Sequence, residues 1–207
     1  RYPTDQGFDE WYGIPRSSDR AYWPDSDIFQ EGSHPSVVFT HVMSGRRGQN
    51  PKELEVYGRA KRATIDREIT DHAIDFIKRK AKAKQPFFAF LPYTQTHDPA
   101  DPHPDYKGKT KNGPFADVLA QTDAYVGELL DTIEELGLRE NTLFIFTSDN
   151  GREGVPGSGG FTGPWRGSMF SPYEGSLRVP FLIRWPEGIP PKQVSNEIVH
   201  AVDLFVT

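Results

Sequence analysis

Two short strings carry most of the chemistry open to this chain. In Leu91-Pro92-Tyr93-Thr94-Gln95-Thr96-His97-Asp98-Pro99, an imidazole stands on a loop stiffened by proline on both sides. In Ser148-Asp149-Asn150-Gly151, a carboxylate and an amide oxygen follow one another, with a glycine behind them that lets the backbone turn sharply. An imidazole can act as a general acid or bind an anion. Asp149 and Asn150 offer the oxygen donors that a hard divalent cation takes. Two oxygens fill only part of a six- to eight-ligand shell, so further carboxylates must come from elsewhere. Both strings also have a plainer reading. Asp-Asn-Gly is a common turn sequence, and a histidine in a polar loop can simply hydrogen-bond that loop.

Other candidates are weaker. His34 and His103 read as loop residues, while His72 in a helix and His200 near the end read as structural. The basic run Lys107-Gly108-Lys109-Thr110-Lys111 could attract an anion, although such runs are usually solvated surface. The early aromatics Tyr2, Phe8, Trp11, Tyr12, Tyr22 and Trp23 could stack on sugars; more often such residues pack a loop onto a sheet.

The elements that must position these groups follow from hydrophobic spacing. Residues 1–60 show no sustained period and read as mostly loop, with Val37-Val38-Phe39-Thr40 as a short strand. A helix is expected from Ala60 to Lys84: Ile65, Ile69, Ala73, Phe76 and Ile77 recur at three- and four-residue spacing, opposite a face of Arg, Lys and Asp. Pro86 to Pro92 is a short apolar run that reads as a strand buried on both faces. A second helix runs from Phe115 to Leu136, with Gly137 as its C-terminal cap. Leu143–Thr147 and Val179–Trp185 read as two further buried strands. This alternation is that of an α/β sheet with helical crossovers. His97 and Asp149 then lie beyond the carboxyl ends of strands, where ligand sites of open α/β sheets gather.

Composition closes off several classes. The 207 residues include 24 basic and 29 acidic side chains, giving a net charge of -5, which lacks the basic face of a nucleic-acid binder. No apolar run approaches the roughly 18 residues of a membrane span. There is no cysteine, which excludes disulfides, thiolate metal sites and a cysteine nucleophile within these residues. With 19 glycines, 18 prolines and 13% aromatic residues, the chain reads as a loop-rich globular, enzyme-like domain.

Four stretches occur together in a familiar order. They are Gly7-Phe8-Asp9-Glu10-Trp11-Tyr12-Gly13, the run Pro86–His97, the string Asn141–Gly151 ending in Thr-Ser-Asp-Asn-Gly, and Tyr173-Glu174-Gly175-Ser176-Leu177-Arg178-Val179-Pro180 with Trp185-Pro186 beyond it. In these the chain resembles the type I sulfatases (arylsulfatase-like) of the alkaline phosphatase superfamily. The resemblance covers nearly the whole chain and implies an α/β fold, an alkaline-phosphatase-like mixed sheet with flanking helices.

The resemblance implies a sulfuric ester hydrolase acting on a small-molecule or carbohydrate sulfate ester. It implies calcium rather than magnesium as the metal, with Asp149 and Asn150 as ligands, and His97 near the sulfate and the leaving-group oxygen as a candidate acid. The nucleophile would be a formylglycine made from Cys or Ser in Cys/Ser-x-Pro-x-Arg. No such string occurs here, since Ser17-Ser18-Asp19-Arg20 lacks the proline, and the adjacent aspartates that complete the family's metal site are missing too. Where many sulfatases carry a sulfate-contacting lysine, Arg166-Gly167-Ser168-Met169 offers a methionine. Glu174 to Pro180 reads as structural.

The chain opens at Arg1 without methionine and closes in the apolar Ile198–Thr207. The expectation is an internal portion, residues 1–207, of a single catalytic domain, incomplete at both ends and silent by itself. A periplasmic or extracellular location is implied by the family. Two rivals remain: a phosphodiesterase or phosphonate hydrolase of the same superfamily, and a non-catalytic carbohydrate- or anion-binding module built on Trp11, Trp23, Tyr22 and the lysines.

Overall fold

The computed structural model describes residues 1–29, 38–154 and 160–205; His34 and Val37 lie outside these. The first sixty residues are not simply loop. They hold β1 (Glu10–Gly13), β2 (His41–Arg46) and β3 (Lys52–Val56), an antiparallel sheet in the order β1-β2-β3. Val38, Phe39 and Thr40 precede β2 and are not part of a strand. This sheet escapes a sequence reading because its strands are four to six residues long and β3 is exposed throughout, so no period-2 burial signal develops.

The early aromatics do pack. Trp23, Val42, Tyr57 and Ile65 form a buried cluster, with Tyr12, Ile14 and Ile69 against it. Trp23 meets Tyr57 edge-on at 6.2 Å, and its indole N–H donates to the Ser18 carbonyl. Tyr2 stacks on Trp11, and Tyr12 stacks on His72 at 3.9 Å between centroids. These contacts make His72 structural, as expected, and remove Trp23 from any sugar-binding surface.

Helix α1 (Arg59–Lys82) follows the expected apolar spacing. Its first turn is capped from a distance, because Arg59 N–H donates to the Asp25 carboxylate where Gly58 has no side chain to offer. Arg79, Lys80 and Lys82 close it, in keeping with the negative end of the helix dipole. Helix α2 (Pro114–Glu135) ends where Gly137, at φ 67°, donates to the Glu134 carbonyl and Leu138 donates to Ile133. The two helices are joined by Arg67, whose guanidinium lies 4.5 Å above the Tyr125 ring and pairs with Glu128 at 2.7 Å. No helix among the described residues is long and apolar enough to cross a membrane.

Strands β4 (Phe144–Thr147) and β5 (Phe181–Arg184) form a second antiparallel pair, with the short helix α3 (Glu174–Leu177) leading into β5. The helix–strand alternation is thus present, while the described strand pairs divide between two sheets. The buried-strand expectation fails at all three runs; at 143–147 Leu143 is exposed and no residue of β4 is buried. Residues 86–92 belong to no strand among the described residues, with Phe87, Ala89 and Leu91 half-buried and Phe88 and Phe90 left 72% and 68% exposed. Phe87 meets Phe76 of α1 edge-on at 6.0 Å, while on the other side Phe88 meets Phe8 at 5.9 Å and still stays largely exposed. Leu182 and Ile183 of β5 are likewise exposed. A strand is buried on both faces only when layers cover both, and no second layer lies over these residues within the described chain.

Candidate active site

The His97 loop is held from beneath by α1. Asp66 accepts hydrogen bonds from Thr94 N–H at 2.9 Å, from the Thr94 hydroxyl at 2.9 Å and from Gln95 N–H at 3.0 Å. One helical turn earlier, Arg62 Nη2 donates to the His97 carbonyl at 2.6 Å. Arg62, Asp66, Thr94 and Gln95 are all buried. Burial pushes the Asp66 carboxyl up, opposed by its three hydrogen bonds and by the nearby Arg62 charge. Sequence spacing sets these two charges on the solvated face of α1. They instead share its packed side, because residues 62, 65, 66, 69 and 70 fall on one stripe of a 3.6-residue helix. Two charged residues spaced i, i+4 beside that stripe's isoleucines were the available signal. A further hydroxyl joins the support: Tyr93 bonds Thr70 at 2.8 Å, and burial pushes its phenol up to about 12.

His97 itself is partly exposed. Its Nδ1 donates to the Asp98 carbonyl at 2.7 Å, and its Nε2 lies 3.9 Å from Glu153 Oε1. Glu153 also accepts from Asp98 N–H at 3.1 Å. Glu153 belongs to the loop that begins with Asp149 and Asn150, so the two strings meet across this carboxylate. Sequence reasoning missed Glu153; its position in a strand-end loop, two residues beyond Gly151, was the signal that could have found it.

The second loop is anchored by backbone. Gly151 N–H donates to the Ser176 carbonyl at 2.8 Å, Met169 N–H to the Arg152 carbonyl at 2.8 Å, and Gly175 N–H to the Arg166 carbonyl at 2.8 Å. The glycine at 151 serves close approach: a Cβ there would fall 2.0 Å from the Gly175 carbonyl oxygen. Glu174 pairs with Arg178, whose guanidinium lies 4.1 Å above the Trp165 ring, so Glu174 to Pro180 is structural, as expected. Arg166 lies 4.1 Å over Tyr173, and Met169 contributes its backbone N–H to the loop anchor. The basic run of 107–111 wraps the first turn of α2 through Asp117, which accepts from Gly108 N–H, Thr110 N–H and the Thr110 hydroxyl. His103 N–H donates to Gln121 in the same loop region.

Asp149 is exposed and Asn150 is half-buried. The Asn150 amide nitrogen donates to the Gly151 carbonyl at 2.7 Å, which leaves its oxygen as the acceptor end. Among the described residues no group of three or more His, Cys, Asp or Glu side chains could hold a metal ion. Asp149 and Asn150 offer a carboxylate and an amide oxygen, the donor chemistry of hard-cation ligands, and two such donors make only part of a shell.

All 207 residues fall within the match to the sulfatase family model, and the chain belongs to the sulfatase family. It is 30% identical over 212 residues to the N-acetylgalactosamine-6-sulfatase of Canis lupus familiaris, covering 100% of this chain and 38% of that protein. It is 34% identical over 149 residues to the steryl-sulfatase of Rattus norvegicus, covering 69% of this chain and 26% of that protein. Among solved structures it is similar to PsFucS1 sulfatase from Pseudoalteromonas sp., with a TM-score of 0.76 at 27% identity over 89% of this chain and 39% of that one. The α/β, alkaline-phosphatase-like fold and the family expected from the motifs both hold. The chain spans 38% of the length of the dog protein.

Proposed function

We propose that the protein containing this chain hydrolyses sulfate esters, releasing inorganic sulfate and an alcohol or phenol, with a sulfated carbohydrate as the favoured substrate class. The observation that carries this reading is the convergence of the His97 loop and the Asp149-Asn150 loop on Glu153. Family membership and the name of the dog relative support the choice of a sulfate on a sugar.

Cleavage of a sulfate ester builds negative charge on the departing oxygen, and a proton donor beside that oxygen lowers the barrier. In this reading His97 supplies the proton from Nε2, because Nδ1 is committed to the Asp98 carbonyl. Arg62 and Asp66 fix the loop so that the ring needs little reorganisation during the reaction. Asp149 and Asn150 would hold calcium by carboxylate and amide oxygens. When bound, calcium would polarise the sulfate group and formylglycine, contributed from outside these residues, would supply the attacking oxygen. A periplasmic or extracellular location goes with this reading.

The test is ion-chromatographic measurement of sulfate released by the full-length protein with calcium. A sulfated amino sugar, an aryl sulfate and an aryl phosphate diester are compared side by side. Sulfate release from the sugar ester is expected, and the 207 residues alone should release none. Faster turnover of the phosphate diester would overturn the reading in favour of phosphodiester chemistry.

A further inference from the structure

We infer that Glu153 is a positioning residue for His97, fixing the imidazole whose Nε2 gives up the proton; this rests on the reading of His97 as the acid. The Glu153 side chain is only 14% exposed, so its carboxylate has exchanged most of its water for protein donors. One donor is Asp98 N–H, at 3.1 Å from one carboxylate oxygen and 3.4 Å from the other. That bond fixes the backbone immediately after His97. A second neighbour is the ring itself, with Nε2 at 3.9 Å.

Each ring nitrogen of His97 therefore has a defined neighbour: the Asp98 carbonyl for Nδ1 and the Glu153 carboxylate for Nε2. A flipped ring would set Nδ1 away from its acceptor and lose the 2.7 Å bond. At 3.9 Å the carboxylate is too far to hold the Nε2 proton in a hydrogen bond, yet close enough to face an imidazolium as its counter-charge. The proton stays available to a leaving oxygen. Arg62 and Asp66 hold the same loop from the helix side. Glu153 holds it from the side of Asp149 and Asn150, and so sets the spacing between the proton donor and the candidate metal ligands.

The experiment uses the full-length protein with calcium and reads the ratio of kcat on a sugar sulfate to kcat on 4-nitrophenyl sulfate. The sugar alcohol needs a proton to leave and the nitrophenol does not. Both rates come from one preparation, so the folded fraction cancels. His97→Ala should lower the ratio by about 100-fold. Glu153→Gln keeps an acceptor for Asp98 N–H but removes the charge. It should lower the ratio by about 10-fold with KM for the sugar sulfate little changed, and should lower it no further on top of His97→Ala. An unchanged ratio in Glu153→Gln beside a lowered one in His97→Ala overturns the Glu153 role and leaves His97 standing. An unchanged ratio in His97→Ala overturns both. Should the glutamine variant fail to fold, Glu153→Asp, which withdraws the charge by one methylene, reads the same ratio, and no change there overturns the role equally.

Discussion

Gly151 and Gly175 lie backbone against backbone: a methyl group on Gly151 would come within 2.0 Å of the Gly175 carbonyl oxygen. The contact seats the Asp149-Asn150 loop on α3, the short helix before β5, and Gly151 N–H reaches the Ser176 carbonyl alongside it. Gly151→Ala must push these segments apart. The expected cost is about 1–3 kcal/mol of stability, read as a lowered Tm, together with loss of most sulfate release by the full-length protein. A variant with unchanged Tm would show that the loops separate freely.

Calcium should bind through the two oxygen donors at the start of this loop. In the full-length protein, Asp149→Asn should weaken the calcium-induced rise in Tm by at least tenfold in midpoint concentration, roughly the effect of exchanging a charged ligand for a neutral one. Adding a chelator to the wild type should lower Tm and abolish sulfate release together. If Asp149→Asn and wild type respond identically to calcium, the loop is a turn and nothing more.

Asp66 supports the His97 loop from its buried side. Replacing it by alanine strands Thr94 N–H, the Thr94 hydroxyl and Gln95 N–H in a buried place, and leaves the buried Arg62 charge without its neighbour. A loss of about 3 kcal/mol is expected in denaturant unfolding. Faster amide exchange should be concentrated in residues 94–98. Uniform exchange over the whole chain would mean that Asp66 supports the core rather than the loop.

Acid should release the 107–111 loop before the rest unfolds. The Thr110 hydroxyl and the Thr110 and Gly108 amides hold the Asp117 carboxyl below its usual range. A depressed folded-state pKa contributes stability above the ordinary carboxylate value of about 3.9, and that contribution is lost as pH falls through the lower, folded-state value. Protection of the Gly108 and Thr110 amides should therefore disappear in that acidic window. Asp117→Asn should lack the transition, and its persistence in that variant would assign it to another group.

Helices α1 and α2 were legible because their isoleucines, leucines and valines repeat with the helical period over more than twenty residues. The strings around His97 and Asp149 were legible because each ends an apolar run. The sheet of β1, β2 and β3 was not, since its strands are defined by pairings such as Trp11 with Gly45, set by chain closure over distances that local spacing does not encode. Arg62 and Asp66 were hidden for a related reason. A charged residue on a helix reads as solvated until its buried partner is known, and Thr94 and Gln95 stand about thirty residues away. At 86–92 neither the strand nor its burial on both faces is present among the described residues, because pairing and burial depend on what lies beside a segment rather than on its own side chains.

The outward row of Phe88 and Phe90 has a consequence for handling these 207 residues. A backbone segment that pairs with no strand among the described residues, beside two largely exposed phenyl rings, is a template for strand addition by a second molecule. Self-association that climbs steeply with protein concentration is expected, read by light scattering. Phe88→Lys should suppress it, since a charge on the bare side carries a desolvation cost into every intermolecular stack while leaving the inward Phe87, Ala89 and Leu91 untouched.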